Sequence, residues 1–306
     1  MMSARFAYIG VPLWYGCGKK GTDSAPSAIR SGNLSGNLLS TGISISDYGD
    51  IDLGTSANNA EDYSEYPMCR YHDTLLAISQ IRDVVEQAQE AGCVPVVVGG
   101  DHSLGLGSVA ASAQRDPNIG VIWFDAHGDM NTEDTSPTGH IHGMPVAALM
   151  GLCKSRLNDI PANYIKPQNI FWIGARSLDE GERKLIETLH LNVYSTDEIH
   201  RRGMCNVMAE VTDKMQRLGI KHIHCSFDVD AMDPTIVAAT GCLVPDGLNN
   251  RDFDEFATSL SDMAQHITAL DFVEYNPLLD DAQHTSLQWC QKALLRLCNA
   301  IIRNRA

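Results

Sequence analysis

The sequence predicts an α/β fold, a mainly parallel sheet of about eight strands covered by helices on both faces. Short apolar runs alternate with longer helix-compatible stretches along the whole chain. Several runs, such as Val94-Pro95-Val96-Val97-Val98, are almost continuous in Val, the composition of a strand buried on both sides. Residues with metal-binding chemistry stand directly behind several of these runs, and open parallel sheets bind ligands beyond the carboxyl ends of their strands.

In chain order, Arg5–Val11 is an apolar run closed by Pro12, and Ile43–Tyr48 is the second strand. Tyr66–Gly92 has helical length and ends on a glycine. Val94–Val98 follows and leads into Gly99-Gly100-Asp101-His102. Ile119–Phe124 is apolar up to Asp125. Asn169–Ile173 precedes a helical stretch, Ser177–His190, and Asn192–Tyr194 precedes another, Thr196–Leu218. His222–Phe227 stops at Asp228, Asp252–Met263 reads as a helix, Ile267–Val273 stops at Glu274, and Gln283–Arg303 is the last helix.

The chain has 306 residues, 44% of them hydrophobic, and its mean hydropathy is near zero. No Pro/Ser-rich linker, repeat or low-complexity tract divides it, so residues 1–306 are expected to form one domain. Lys and Arg number 23 against 38 Asp and Glu, and the net charge of −15 argues against nucleic acid or an anionic membrane as partner. A cationic small molecule suits it better. The N-terminus lacks a long apolar signal region and no run of about 18 apolar residues occurs, which reads as cytoplasmic. Nine cysteines without a C-x-x-C pair fit reduced thiols.

Two short runs dominate the chemistry: Asp125-Ala126-His127-Gly128-Asp129 and Asp228-Val229-Asp230. Their ligand-type residues are spaced by two. In extended chain such residues point to one side, so the spacing predicts that five side chains converge. An Asp after a strand is ordinarily a helix N-cap, but capping does not account for five in this arrangement. Gathered without cations, the carboxylates would cost several kcal/mol each, roughly. His102, at the equivalent end of another strand, is the sixth ligand rather than a histidine packed in a glycine turn. Four carboxylates and two imidazoles are too many for one tetrahedral zinc and suit two harder divalent ions. Manganese is the first choice, while iron, cobalt and nickel stay open. Two ions with bridging carboxylates imply an activated water between them, and hence hydrolysis by a metal-bridging hydroxide.

The segments GGDHSLGLGSV, IGVIWFDAHGDMNTEDTSPTGHIHGMPVA, WIGARSLDEGE, SFDVDAMDP and FVEYNP resemble the ureohydrolases, and most closely the bacterial arginases. The likeness runs from Ile9-Gly10-Val11-Pro12 to the last helix. It implies a single three-layer αβα domain, a binuclear manganese centre and conversion of the guanidino group of L-arginine to urea and L-ornithine. Homo-oligomers, trimers or hexamers, are implied as well. Carried over by position, the resemblance makes His102, Asp125, His127, Asp129, Asp228 and Asp230 the metal ligands, with Asp125 and Asp228 bridging. His142 becomes a proton shuttle, Asp129 a proton relay and Glu274 the acid that holds the guanidinium. A guanidinium is a planar fork of donors, which a carboxylate can meet with paired charge-assisted bonds. Read without the resemblance, Glu274 is an ordinary strand-end acid and His142 a histidine in a glycine-rich loop.

The same resemblance assigns Asn131 and Thr138 to the α-carboxylate of an amino-acid substrate and Asp179 to its α-ammonium, with Glu182 behind Asp179 through water. Asp179 also stands where an acid would stabilise a helix start, and Thr138 follows a proline that could make a plain turn. Two positions depart from the arginase pattern. His140 stands where Asn is usual, and Thr240-Gly241-Cys242-Leu243-Val244 replaces Thr-Gly-Thr-Pro-Val at the wall around the guanidino group. Agmatine or another guanidino compound is therefore the alternative substrate, with a formimidoylglutamase-like activity in the same class. A non-catalytic relative would not need all six ligand types together with His142 and Glu274. Gly105-Leu106-Gly107-Ser108-Val109-Ala110 has the G-x-G-x-x-A form of a dinucleotide fingerprint, but its first glycine lies several residues beyond Val98, too late for the required turn.

Overall fold

The computed structural model describes residues 5–40, 43–54 and 68–302. Its strands are β1 (Arg5–Gly10), β2 (Ser44–Asp50), β3 (Cys93–Val98), β4 (Gly120–Phe124), β5 (Ile170–Ala175), β6 (Asn192–Ser195), β7 (Ile223–Asp228) and β8 (Ile267–Val273). Between them lie α1 (Ala25–Arg30), α2 (Leu34–Ser40), α3 (Tyr71–Glu90), α4 (Leu104–Arg115), α5 (Pro145–Leu149), α6 (Glu180–Leu189), α7 (Thr196–Arg202), α8 (Met204–Arg217), α9 (Asn250–Asp262) and α10 (Thr285–Ile302). The eight strands form one sheet in the order β2-β1-β3-β8-β7-β4-β5-β6, and all seven pairings are parallel.

Alternation along each strand builds the layers. In β4, Ile122 and Phe124 enter a core shared with α1, α2, α8, α9 and α10. Val121 and Trp123 enter the opposite core, against α3, α4 and α5. A third cluster joins Ala7 and Ile9 of β1 to Ile81 and Val85 of α3. Pro95 is tolerated in an interior strand because the pairing of β3 with β8 begins one residue later, at Val96.

Most expected elements are present, with instructive differences. The long stretch Thr196–Leu218 breaks at Gly203, whose φ of 84° ends α7 and starts α8 in a new direction. The first residues of the expected helix at Tyr66, and Arg303 at the end of the last one, lie outside the described residues. The dinucleotide-like motif is the body of α4. A Cβ at Gly105 would meet the Trp123 ring at 2.7 Å, and one at Gly107 would meet the carbonyl of Ile78 at 2.5 Å. These glycines permit close helix packing and cradle no phosphate. No helix among the described residues is long and apolar enough to cross a membrane.

Candidate metal centre and substrate cavity

Four neighbouring strands deliver the site. In sheet order β3, β8, β7 and β4, their carboxyl ends carry His102, Glu274, Asp228 with Asp230, and Asp125 with His127 and Asp129. The five side chains of the two runs do converge, although not by strand alternation. Each run turns as soon as its strand ends: Asp125 Oδ1 accepts from His127 N at 2.7 Å, and Asp228 Oδ1 accepts from Asp230 N at 2.8 Å. Asp129 reaches the cluster through a left-handed backbone, φ 52°, and Asp230 sits in a 3-10 turn. Gly128 leaves room for Glu182, whose Oε1 would lie 2.7 Å from any Cβ there.

The convergence is tight. His102 Nδ1 lies 2.8, 3.0 and 3.1 Å from Oδ2 of Asp125, Asp129 and Asp228. One imidazole N–H cannot serve three carboxylates, and neither His102 Nδ1 nor Asp129 Oδ2 makes a hydrogen bond among the described residues. A small octahedral divalent ion with bonds of about 2.1 Å would space adjacent donor atoms by about 3.0 Å. Beside this group, His127 Nδ1 lies 3.1 Å from Asp230 Oδ2 and 3.5 Å from Asp125 Oδ1. His102, Asp125 and Asp129 can thus hold one cation, and Asp125, His127 and Asp230 another, with Asp125 common to both.

Electrostatics favour the same reading. Burial, then Asp230 and Asp125, push the Asp228 carboxyl well above its ordinary range. Burial followed by Asp125 raises Asp129 to about 7. Burial opposes charge on His102, but the three surrounding carboxylates hold its proton far above the usual histidine range. Carboxylates that resist ionisation in their own company are relieved by cations. Trp123 braces the group, stacking on His102 with ring centroids 4.0 Å apart and donating from Nε1 to Asp125 Oδ2 at 3.0 Å.

Above the centre opens a cavity of about 230 Å³. Its lining includes every residue named for substrate recognition (Asn131, Thr138, His140, Asp179, Glu182 and Cys242), both His142 and Glu274, and all the expected ligands except Asp125, which lies beneath the floor. Glu274, at φ 66°, accepts through Oε1 from His102 N at 2.9 Å and pairs the same oxygen with His142 Nδ1 at 3.1 Å. Oε1 is thus engaged by two protein groups, and Oε2 is the less committed atom. Although burial opposes it, Glu274 raises the His142 imidazole to about 9.

Four substrate candidates, Asn131, Asp179, Thr138 and Glu182, have partners of their own. Asn131 Nδ2 donates to Asp179 Oδ2 at 2.7 Å, which ties the two expected ends of the amino-acid subsite together. Thr138 Oγ1 accepts from His140 N at 3.2 Å, closing the turn that its proline suggested. The Glu182 carboxylate receives Asp179 N at 2.8 Å and Met130 N at 3.1 Å, fastening α6 to the turn after β4. The His140 ring packs over Gly18, so close that a Cβ there would lie 3.0 Å from Nε2. Burial, then His142 and Lys19, lower its pKa. Lys19 Nζ donates to the carbonyl of Gly241 at 2.7 Å and pins the wall that carries Cys242. Although Cys242 is exposed, desolvation of its thiol, followed by Glu274, raises it to about 11.

The profile of the Arginase family matches residues 4–297. The chain belongs to the arginase family. It is 38% identical to the arginase of Staphylococcus aureus (strain MRSA252) over 92% of each chain. Among solved structures it superposes on the arginase of Bacillus subtilis with a TM-score of 0.88 at 35% identity, covering 99% of both chains. An Entamoeba histolytica arginase solved in complex with L-ornithine follows at a TM-score of 0.86 and 30% identity, with 98% of this chain and 99% of that one covered. The protein is an arginase-family amidinohydrolase, with Asp/His clusters able to hold the metal such enzymes require.

Several contributors were not singled out in the sequence. Ser136 and Ser177 line the cavity from within the two segments marked for substrate recognition. Arg176 donates to the carbonyls of Gly174, Asp230, Ala231, Met232, Val244 and Pro245, clamping the turn after β7 to the wall loop. Asp101 accepts from the backbone of Gly16 at 2.9 Å and Cys17 at 3.3 Å, while the Gly16 carbonyl accepts from His142 N at 3.2 Å. Asp101 stands openly in Gly-Gly-Asp-His, but nothing in that spacing tells a structural acid from a ligand.

Proposed function

We propose that this protein is a one-domain arginase that hydrolyses L-arginine to urea and L-ornithine at two manganese ions held by His102, Asp125, His127, Asp129, Asp228 and Asp230. The observation that carries the proposal is the pair of ligand clusters sharing Asp125 beneath the floor of a cavity whose wall holds Glu274, His142 and Asp179. When bound, the ions would acidify a water enough to make it a nucleophile near neutral pH.

The chain's own residues supply the rest. Glu274 draws the planar guanidinium toward the floor through Oε2. Water adds to the guanidino carbon, and the bond from that carbon to the chain nitrogen breaks. Asp129, through the carboxylate oxygen not given to the cation, receives the proton from the water. The proton ends on the departing amine. His142 is anchored to Glu274 through Nδ1, so Nε2 is the atom left to exchange protons with the cavity. At the outer end, Asp179 takes the α-ammonium, while Asn131 and Thr138 meet the α-carboxylate.

The test is urea release by manganese-loaded protein from arginine, agmatine and guanidinobutyrate. Arginine should lead in kcat/KM by about 10⁴ or more, because its analogue without the carboxylate leaves the donors meant for that group unpaired. Asp179→Ala should raise KM for arginine with little change in kcat, since the contact is remote from the breaking bond. Agmatine turned over as well as arginine would replace this substrate assignment and point to His140 and Cys242 as the cause.

A further inference from the structure

Beneath the centre lies a second polar system that the proposed reaction does not use. His102 Nε2, the ring nitrogen turned away from the carboxylates, is 2.9 Å from Ser226 Oγ. Ser226 in turn donates to Asp271 Oδ2 at 3.1 Å. Asp271, in β8, is fully buried, and the same oxygen accepts from Ser108 Oγ at 2.7 Å and pairs with His224 Nε2 at 2.8 Å. His224 Nδ1 is met by Ser112 Oγ at 2.9 Å, and Ser112 is met by Gln89 Nε2 at 2.8 Å. Donors therefore converge from two directions on one carboxylate oxygen.

That convergence fixes hydrogen positions. Ser226 has one hydroxyl hydrogen, and the nearby carboxylate is the stronger acceptor for it. Its oxygen then offers only lone pairs to His102, so Nε2 of that ring must carry a hydrogen. The tautomer of a ligating histidine is set by the bond its other nitrogen makes. We propose that Asp271, acting through Ser226, is a positioning residue for His102: it holds the ring as the Nε2–H tautomer, turns the Nδ1 lone pair toward Asp125, Asp129 and Asp228, and so sets the affinity of one of the two metal sites. The inference rests on the metal reading of the cluster given above. Its signature is asymmetry, because among the described residues His127 and Asp230 make no hydrogen bond to Ser226 or Asp271 and meet the His102 group only through the shared Asp125.

Manganese binding to chelator-stripped, full-length protein, followed by titration calorimetry, is the test. Wild type should bind two ions. Ser226→Ala breaks the link yet leaves Asp271 its two other partners, and one site should weaken by about 10- to 100-fold while the other is unchanged. Asp271→Asn should act in the same direction. If that variant does not fold, Ser226→Ala still decides. In zinc-loaded protein labelled with ¹⁵N-histidine, the exchange-protected Nε2–H of His102 should be visible in wild type and lost in Ser226→Ala. Unchanged binding with the Nε2–H retained overturns the proposal, and so does equal weakening of both sites with a lower melting temperature of the metal-free protein. A wild type that binds no divalent ion would instead refute the metal reading itself.

Discussion

Replacing Glu274 by Gln keeps the shape of the side chain and removes its charge. In the structure Glu274 Oε1 lies 3.1 Å from His142 Nδ1, and this contact is the main influence lifting His142 from 6.5 to about 9 against the opposing effect of burial. That interval corresponds to roughly 3 kcal/mol of preference for the protonated ring. Because the folded value lies above that of the unfolded chain, the associated stabilisation is complete below pH 6.5 and is lost as pH rises through about 9. In Glu274→Gln the partly buried imidazole should titrate well below 9, with Asp101 and Asp129 still favouring its charged form, and most of this stabilisation should vanish from the pH range between the two values. Histidine ring resonances of the metal-free protein, followed by NMR from pH 5 to 10, would measure it. The same variant should lose about 10- to 150-fold in kcat/KM for the guanidino substrate, the range expected for removing a charged hydrogen bond of 1.5–3 kcal/mol. A His142 resonance still titrating near 9 in Glu274→Gln would show that the contact does not govern the proton, and the assigned role of Glu274 would fall with it.

Two further outcomes follow from particular contacts. Chelator treatment should abolish urea formation and lower the thermal midpoint; re-addition of manganese at 100 times its Kd should restore about 2.7 kcal/mol per site, read by calorimetry. Gly105→Ala places a methyl 2.7 Å from the Trp123 ring, so denaturant unfolding should show a loss of about 1–3 kcal/mol, whereas a change below 0.5 kcal/mol would mean that the helix shifts freely.

The candidate metal-binding clusters were legible because their residue types are rare together and their positions fall where parallel strands end. Spacing by two suggested the right company for a partly wrong reason. The runs leave the strand immediately, and it is the Asx-type turns at Asp125 and Asp228 that aim them. Glu182 was placed at the correct wall, but its two bonds to backbone N–H groups depend on how α6 meets the turn after β4, which no local pattern encodes. α4 was obscured by its glycines, whose purpose is visible only once Trp123 and α3 are packed against them. Ser226 and Asp271 were the least legible, since each is a buried polar residue within a strand body rather than at its end, and their connection crosses 45 residues of sequence.

The position of β8 bears on when the centre comes into being. All six expected ligands are present once residue 230 has been synthesised, yet β8 lies between β3 and β7 in the sheet. Until Ile267–Val273 takes that place, the ends bearing His102 and Asp228 flank a missing strand, and in the finished sheet they stand two strand spacings apart, about 9.6 Å. A nascent chain therefore holds its ligands without their geometry, and the centre is completed by a late, long-range pairing. Metal capture should therefore wait for the completed sheet, and a truncation before β8 should leave ligands that chelate weakly and indiscriminately.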